Sequence, residues 1–358
     1  MAGGTNQRIF YAVQAVAIAP RGTAYLDRKY MVHGLQSVGM SSTFTLDQVF
    51  EMGQIQIYEN IEDVADIEVT LEKVIDGYKL IYNLATDGSC KTSIVSASKS
   101  RSDVYLAVFD DGQDHATGIP QTVCMNSGMY VSSVAYNYSV DGSATESVTL
   151  VGNDRFWNTS TVVANPTGIW GTGGSTNGAG ALPGITALFD GTDTPNSGVV
   201  RRVDVDIAGS ELPTIVTSQK GGDASSEAGL SSNAHIQSIS VSTDFGQENI
   251  QELGRFGPYH RYATFPIEVT CEFEVLSTSG DLVSVSGSHP NLTNNAIVIK
   301  DTAGTILNLG SGSDGKNKLS SVSYSGGDTG GGNATVTYSF SNFNVLTVDD
   351  SATKPIVG

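Results

Sequence analysis

Apolar and polar side chains alternate with period two along two nearly identical stretches of the chain. Ile67, Val69 and Leu71 alternate with Glu68, Thr70 and Glu72, while Ile267, Val269, Cys271, Phe273 and Val275 alternate with Glu268, Thr270, Glu272 and Glu274. A strand points successive side chains to opposite faces, so each stretch predicts a half-buried antiparallel strand with one apolar and one acidic face. The acidic faces are turned to water or to a channel. Further strands are predicted over 104–109, 131–140, 147–151, 296–300 and 335–343, all bounded by Gly, Asp or Asn turns, and an N-terminal strand within 9–18. Upstream of each acidic strand the period changes. Thr45-Leu46-Asp47-Gln48 fits a capping box, Leu46, Val49 and Phe50 share a helical face, and Gly53 suits a left-handed C-terminal cap. Asp244, Gln247, Ile250, Leu253 and Gly254 repeat that plan. The pattern therefore predicts two short helices, each packed on a sheet because helices this short do not stand alone.

These elements recur in the same order. Leu35-Gln36-Ser37-Val38, Phe44, Gly53, Tyr58 and 67–72 are answered by Ile236-Gln237-Ser238-Ile239, Phe245, Gly254, Tyr259 and 267–272, with one single-residue gap. Val131-Ser132-Ser133-Val134-Ala135-Tyr136 is answered by Leu319-Ser320-Ser321-Val322-Ser323-Tyr324. Conserved order and spacing predict a duplicated module, one copy over 1–151 and the other over 234–358. The intervening 152–233 is dominated by turn formers and reads as linker and loops. The length of 358 residues suits two domains of ordinary size, each with its own core.

Composition narrows the class. Only 16% of residues are charged and 41 are Gly, which favours short strands joined by many turns and a mainly β fold. No apolar run is long enough for a membrane helix, and 9–18, followed by Pro20-Arg21-Gly22, lacks the cleavage site of a signal peptide. Cys90, Cys124 and Cys271 share no ligand spacing and suit assembly in a reducing cytoplasm, with Cys271 in the core-facing slot of Leu71. The net charge of −18, from 37 acidic and 19 basic residues, argues against gripping nucleic acid through its phosphates. It permits the reverse, a surface past which a polyanion slides.

Catalytic constellations are not found. The 171–180 glycine-rich stretch lacks the Lys-Ser/Thr ending of a phosphate-binding loop. His33, His115, His235, His260 and His289 are scattered, and no pair has zinc-like spacing. Asp110-Asp111-Gly112 and Asp141-Gly142 read as hairpin turns. The sequence thus implies no enzyme, cofactor or metal.

The run 8–16 (Arg-Ile-Phe-Tyr-Ala-Val-Gln-Ala-Val), His33–Val38, Gly53–Lys73, Val140-Asp141-Gly142 leading to Glu146–Leu150, and Leu253–Glu274 together resemble the tail tube, or major tail, proteins of tailed bacteriophages. The resemblance implies two tandem β-sandwich or barrel modules, each with one short flanking helix. Six such modules form a ring, and stacked rings form the conduit for DNA ejection. With two modules per chain, three chains would close the ring. Glu68, Glu72, Glu268, Glu272 and Glu274 become candidates for the lumen or a subunit seam, the alternative being an ordinary solvated face. Tyr58, Ile61, Glu62, Asp63, Tyr259, His260, Arg261 and Tyr262 become candidates for an arm onto the next subunit, unless these rings cap their own module. Acidic Glu59, Glu62, Asp63 and Asp66 stand against basic Arg255, His260 and Arg261 in the other copy, a pairing that would favour docking of unlike copies. The expected partners are further copies of the chain and other tail proteins such as a sheath or tail terminator. DNA passes without specific binding, no membrane is involved, and the location is the virion after assembly in the host cytoplasm. A baseplate hub or tail terminator built from the same modules is the first alternative, and a capsid-decorating or receptor-binding β protein the second.

Overall fold

The computed structural model describes residues 8–21, 23, 28–86, 91–116, 120–158, 198–206, 211–219, 235–255, 257–285, 294–311, 315–327, 329 and 332–350. Cys90, His289 and the glycine-rich stretch 171–180 lie outside them. The fold is mainly β. In chain order the strands of the first part are Gln14–Pro20 (β1), Leu35–Thr43 (β2), Leu46–Phe50 (β3), Ile57–Glu62 (β4), Asp66–Val74 (β5), Lys91–Ser93 (β6), Ser102–Val108 (β7), Thr122–Ser139 (β8), Thr145–Gly152 (β9), Asp154–Asn158 (β10) and Val205–Asp206 (β11). Those of the second part are Ile236–Asp244 (β12), Glu248–Ile250 (β13), His260–Tyr262 (β14), Glu268–Leu276 (β15), Val298–Asp301 (β16), Ile306–Asn308 (β17), Lys318–Ser325 (β18), Thr335–Phe343 (β19) and Thr347–Asp349 (β20). Short helices span Ile81–Ala85 (α1), Ile94–Ala97 (α2) and Thr214–Thr217 (α3).

Eight strands run side by side in the order β2-β5-β9-β8-β12-β15-β19-β18, every neighbour antiparallel. The order β2-β5-β9-β8 is repeated by β12-β15-β19-β18. Bulges recur at matching places, between Leu35 and Ser37 and between Ile236 and Ser238, then between Val131 and Ser133 and between Leu319 and Ser321. Counted from these bulges, Leu71, opposite Val38, corresponds to Phe273, opposite Ile239. Cys271 therefore takes the place of Val69 rather than Leu71. The near-identical sequence stretches stand two residues out of structural step, a slip that period two hides because it leaves every side chain on its original face.

The apolar face of the long sheet, with Leu71, Tyr136, Val148, Val241, Phe273 and Phe340, packs in one cluster with α1 (Ile81, Leu84) and with Ile299, Leu307 and Val348 of a second sheet ordered β11-β16-β17-β20-β6. Residues of both sequence segments share this core instead of burying two separate ones. Each such side chain contributes about 1.5–3 kcal/mol when fully buried. β1 and β7 are covered on both sides, Val16, Ile18, Val104 and Leu106 facing the main cluster and Ala15, Ala17, Tyr105 and Ala107 a smaller one. β8 joins the two regions. Its first half pairs with β7 and β10 and its second with β9 and β12, and Gly128 takes a φ of 63° near the change.

Three expectations are corrected. The helix expected to end at Met52 is strand β3, paired with β4, and its counterpart is the β13–β14 hairpin. Gly53 and Gly254 do take left-handed φ values of 97° and 83°, but in hairpin loops and not at helix ends. The flanking helix of the first segment is α1, downstream of the acidic strand. Finally, 152–233 is more than linker: β10 pairs with β8, β11 with β16, and Val200, Leu212 and Val216 enter the core.

Candidate assembly surfaces

Among the described residues, one face of the eight-stranded sheet is open and polar from end to end. Alternation along β5 buries Ile67, Val69, Leu71 and Lys73 and leaves Glu68 exposed and Glu72 half-buried on the other side; along β15 it buries Val269, Cys271, Phe273 and Val275 and leaves Glu268 and Glu272 exposed and Glu274 half-buried. All five candidate carboxylates thus share one surface, joined there by Asp244 at the end of β12. The neighbouring strands fill it with small hydroxyl side chains: Ser41 lies opposite Glu68, Ser147 opposite Glu72 and Ser240 opposite Glu272. At matching positions in the two halves, Ser37 Oγ donates to Glu72 Oε2 at 3.4 Å and Ser238 Oγ to Glu274 Oε2 at 3.2 Å. Lys318, at the first position of β18, is the cation on this set of strands besides the inward-facing Lys73. Such a surface repels polyanions and offers their phosphates few cations.

A buried polar cluster beneath it holds the sheet on α1. Glu146, on the buried side of β9, accepts from the backbone N–H groups of Ile81 at 2.6 Å and Tyr82 at 3.0 Å and from the Tyr136 hydroxyl at 3.1 Å. It satisfies N–H groups that have no partner within the first helical turn. Lys73, fully buried, donates to the Lys79 carbonyl at 2.9 Å and pairs with Asp76 at 3.3 Å. Burial raises the Glu146 carboxyl above its ordinary range even though Lys73 pulls the other way.

The arm candidates fall on the two hairpins, and these differ in surroundings. On the first, every residue of β3 and β4 is exposed, including Tyr58, Ile61 and Glu62, with exposed Asp63 just beyond β4. Met52 and Ile55 at its tip are wholly exposed, and among the described strands β3 and β4 pair only with each other. The second hairpin is docked. Arg261 is 6% exposed and pairs with Asp66 of β5 at 2.6 Å; the His260 ring lies against Tyr130 of β8, with 3.1 Å between Nδ1 and the hydroxyl, and stacks on Tyr262. Gln247 Nε2 donates to the Val131 carbonyl at 2.7 Å and the Phe245 N–H to the Ser132 carbonyl at 2.8 Å. Tyr259 remains half-exposed. One pairing from the acidic-to-basic contrast, Asp66 with Arg261, is thus made within the chain, between β5 and β14. Phe245 and Tyr136, both buried at the seam between β8 and β12, were visible in the sequence as repeated aromatics. Their role was not, because their counterparts Phe44 and Tyr324 are exposed.

Among the described residues no group of three His, Cys, Asp or Glu side chains is placed to hold a metal ion. Asp110 accepts from the Gln113 N–H across a turn in which Gly112 has φ 82°, whereas Gly142 does not adopt the positive φ expected for it. Cys124 and Cys271 are buried free thiols; burial pushes Cys124 up to about 11 and Cys271 higher still, away from reactive thiolate behaviour. No helix is long and apolar enough to cross a membrane among the described residues.

No family model matches the chain, and no curated protein matches it. Among solved structures it is similar to the tube-terminating cap of the anti-feeding prophage, with 11% identity over 45% of this chain and 100% of that one at a TM-score of 0.33. It is similar also to a chain of the six-fold symmetrised anti-feeding prophage baseplate, with 12% identity over 43% of this chain and 97% of that one at a TM-score of 0.30. A third similarity is to the extended sheath–tube complex of an extracellular contractile injection system, with 11% identity over 43% of this chain and 93% of that one at a TM-score of 0.32.

Proposed function

We propose that this chain is a structural subunit of a phage tail tube, a duplicated module whose copies close into rings around a DNA-conducting lumen, and that it has no catalytic role. The observation that carries the reading is the eight-stranded antiparallel sheet with one open face on which the carboxylates of both halves gather. Rolled about an axis with that face inward, the sheet supplies a wall that is hydroxyl-rich and acidic, with its apolar side covered by α1, β1, β7 and the second sheet. A wall of like sign keeps DNA mobile, since the attraction that would hold phosphates is missing. The repeated strand order gives each chain two equivalent segments of wall, so three chains supply the six modules that the family resemblance implies. Ring closure also leaves no free sheet edge to aggregate.

Electron microscopy of the purified protein and of particles containing it tests this directly. Three chains per ring around an open channel, in many stacked rings per particle, is the expected result. A ring of six chains would overturn the duplicated-wall arithmetic, and one ring per particle would assign the chain to a terminator or hub.

A further inference from the structure

Among the described strands the long sheet contains one seam between its halves, β8 against β12, and ends in two edge strands, β18 and β2. By strand order and bulge position β18 is the counterpart of β8, and β2 of β12. The two ends are therefore the two sides of a second, unmade seam. Burial shows what is missing from it. Tyr136 of β8 is 1% exposed and its counterpart Tyr324 is 51% exposed; Phe245, just after β12, is 2% exposed and its counterpart Phe44 is 69% exposed. The same residue types are buried where the chain supplies its own neighbour and bare where it does not.

We propose that β18 of one subunit pairs with β2 of the next in the register of the internal seam. There Ala135 stands opposite Ser242, Tyr136 opposite Val241 and Ser133 opposite Asp244. Carried to the ends of the sheet, this sets Ser41 against Ser323 of the partner subunit, Met40 against Tyr324 of the partner subunit, and Thr43 against Ser321 of the partner subunit. The hairpins follow the same transfer. β3–β4 has the pairing register of β13–β14, Glu59 standing where His260 stands and Leu46 where Gln247 stands. Tyr130, which meets His260, corresponds to Lys318, and Val131, whose carbonyl meets Gln247, corresponds to Leu319. Between subunits the Tyr–His contact thus becomes a Glu59 carboxylate against Lys318 of the partner subunit, and the Gln–carbonyl contact becomes Leu46 against Leu319 of the partner subunit. Charge and apolar character are complementary in both exchanges, which favours this head-to-tail seam over β2 pairing with itself. The proposal specifies the edges and register of the ring reading and rests on it.

The test places one cysteine on each edge. Directly opposite residues bring their Cβ atoms to about 4.5–5.5 Å, close enough for a disulfide after small adjustment. Under mild oxidation with diamide, Ser41→Cys with Ser323→Cys in one chain is expected to give a covalent ladder ending at the closed ring, and neither single variant a dimer. Ser37→Cys with Ser323→Cys, about 13 Å out of step, is expected to give none. Cross-linking by the shifted pair, or by Ser41→Cys alone, would overturn the register. Rings seen by electron microscopy without the expected ladder would overturn the seam and leave the ring reading standing; absence of both would overturn the two together. As a second readout, Tyr324→Ala is expected to raise the protein concentration needed for rings by about tenfold or more, as for a buried aromatic anchor, without lowering the melting temperature of the unassembled chain. An unchanged threshold would place Tyr324 outside the interface.

Discussion

Glu146 shows how one residue ties the polar interior to stability. It is fully buried, and it receives two helix N–H groups and the Tyr136 hydroxyl. Glu146→Ala leaves those donors unsatisfied and removes one of the carboxylates that act on the buried Lys73, which should cost about 3–5 kcal/mol in urea denaturation of the unassembled chain. The carboxyl's pKa is raised in the fold by burial against the opposing pull of Lys73, with Tyr136 and the Ile81 and Tyr82 amides around it. A raised folded value means that the folded state holds the proton more tightly than the unfolded one. The stabilisation is therefore complete below the ordinary glutamate range and is lost as pH rises through the raised value. Asp301 and Asp350 are shifted in the same direction, again first by burial. The unassembled chain should accordingly be more stable at mildly acidic than at neutral pH, and Glu146→Gln should flatten part of that slope. Stability that climbs steadily toward neutral pH would contradict this account.

At the scale of elements, the β3–β4 hairpin is the clearest candidate for a purely intermolecular role. Its residues are all exposed, many of them apolar, and an isolated hairpin has marginal stability of its own. Replacing 46–62 by a short Gly-Ser turn should leave the circular dichroism and melting of the chain nearly unchanged while sedimentation shows that rings no longer form. A deletion variant that still assembles would remove the hairpin from the interface. The same element explains the misread helix. Leu46, Val49 and Phe50 satisfy helical spacing, but five residues cannot separate a helical stripe from a strand whose both faces await a partner, and a left-handed glycine serves either ending.

For the whole molecule, the consequence is electrostatic. On the tube reading, the carboxylates of β5 and β15 are a distributed barrier to DNA adhesion, and reversing their charge should turn the wall adhesive. In particles carrying Glu68→Lys and Glu272→Lys, DNA release should slow markedly at low ionic strength and recover toward the wild-type rate as salt shortens the Debye length below about 10 Å. Release unaffected at low salt would mean that this face does not meet DNA. Both residues are on the open side of the sheet and away from the core, so the substitutions should leave folding intact.

The sequence by itself determined the mainly β character, the acidic and apolar faces of β5 and β15, the bounds of β19, and the repetition of the strand order, because period-two alternation and recurring turns are local properties of a chain. It also brought Tyr58 and Tyr259 into correspondence. Only the tertiary structure decided that the hairpins are strands, that 198–206 and 211–219 join the fold, that Leu71 corresponds to Phe273, and that Glu146 and Lys73 are buried together. Each of these depends on which distant strand lies alongside, and a two-residue slip between strands preserves every local pattern from which a sequence can be read.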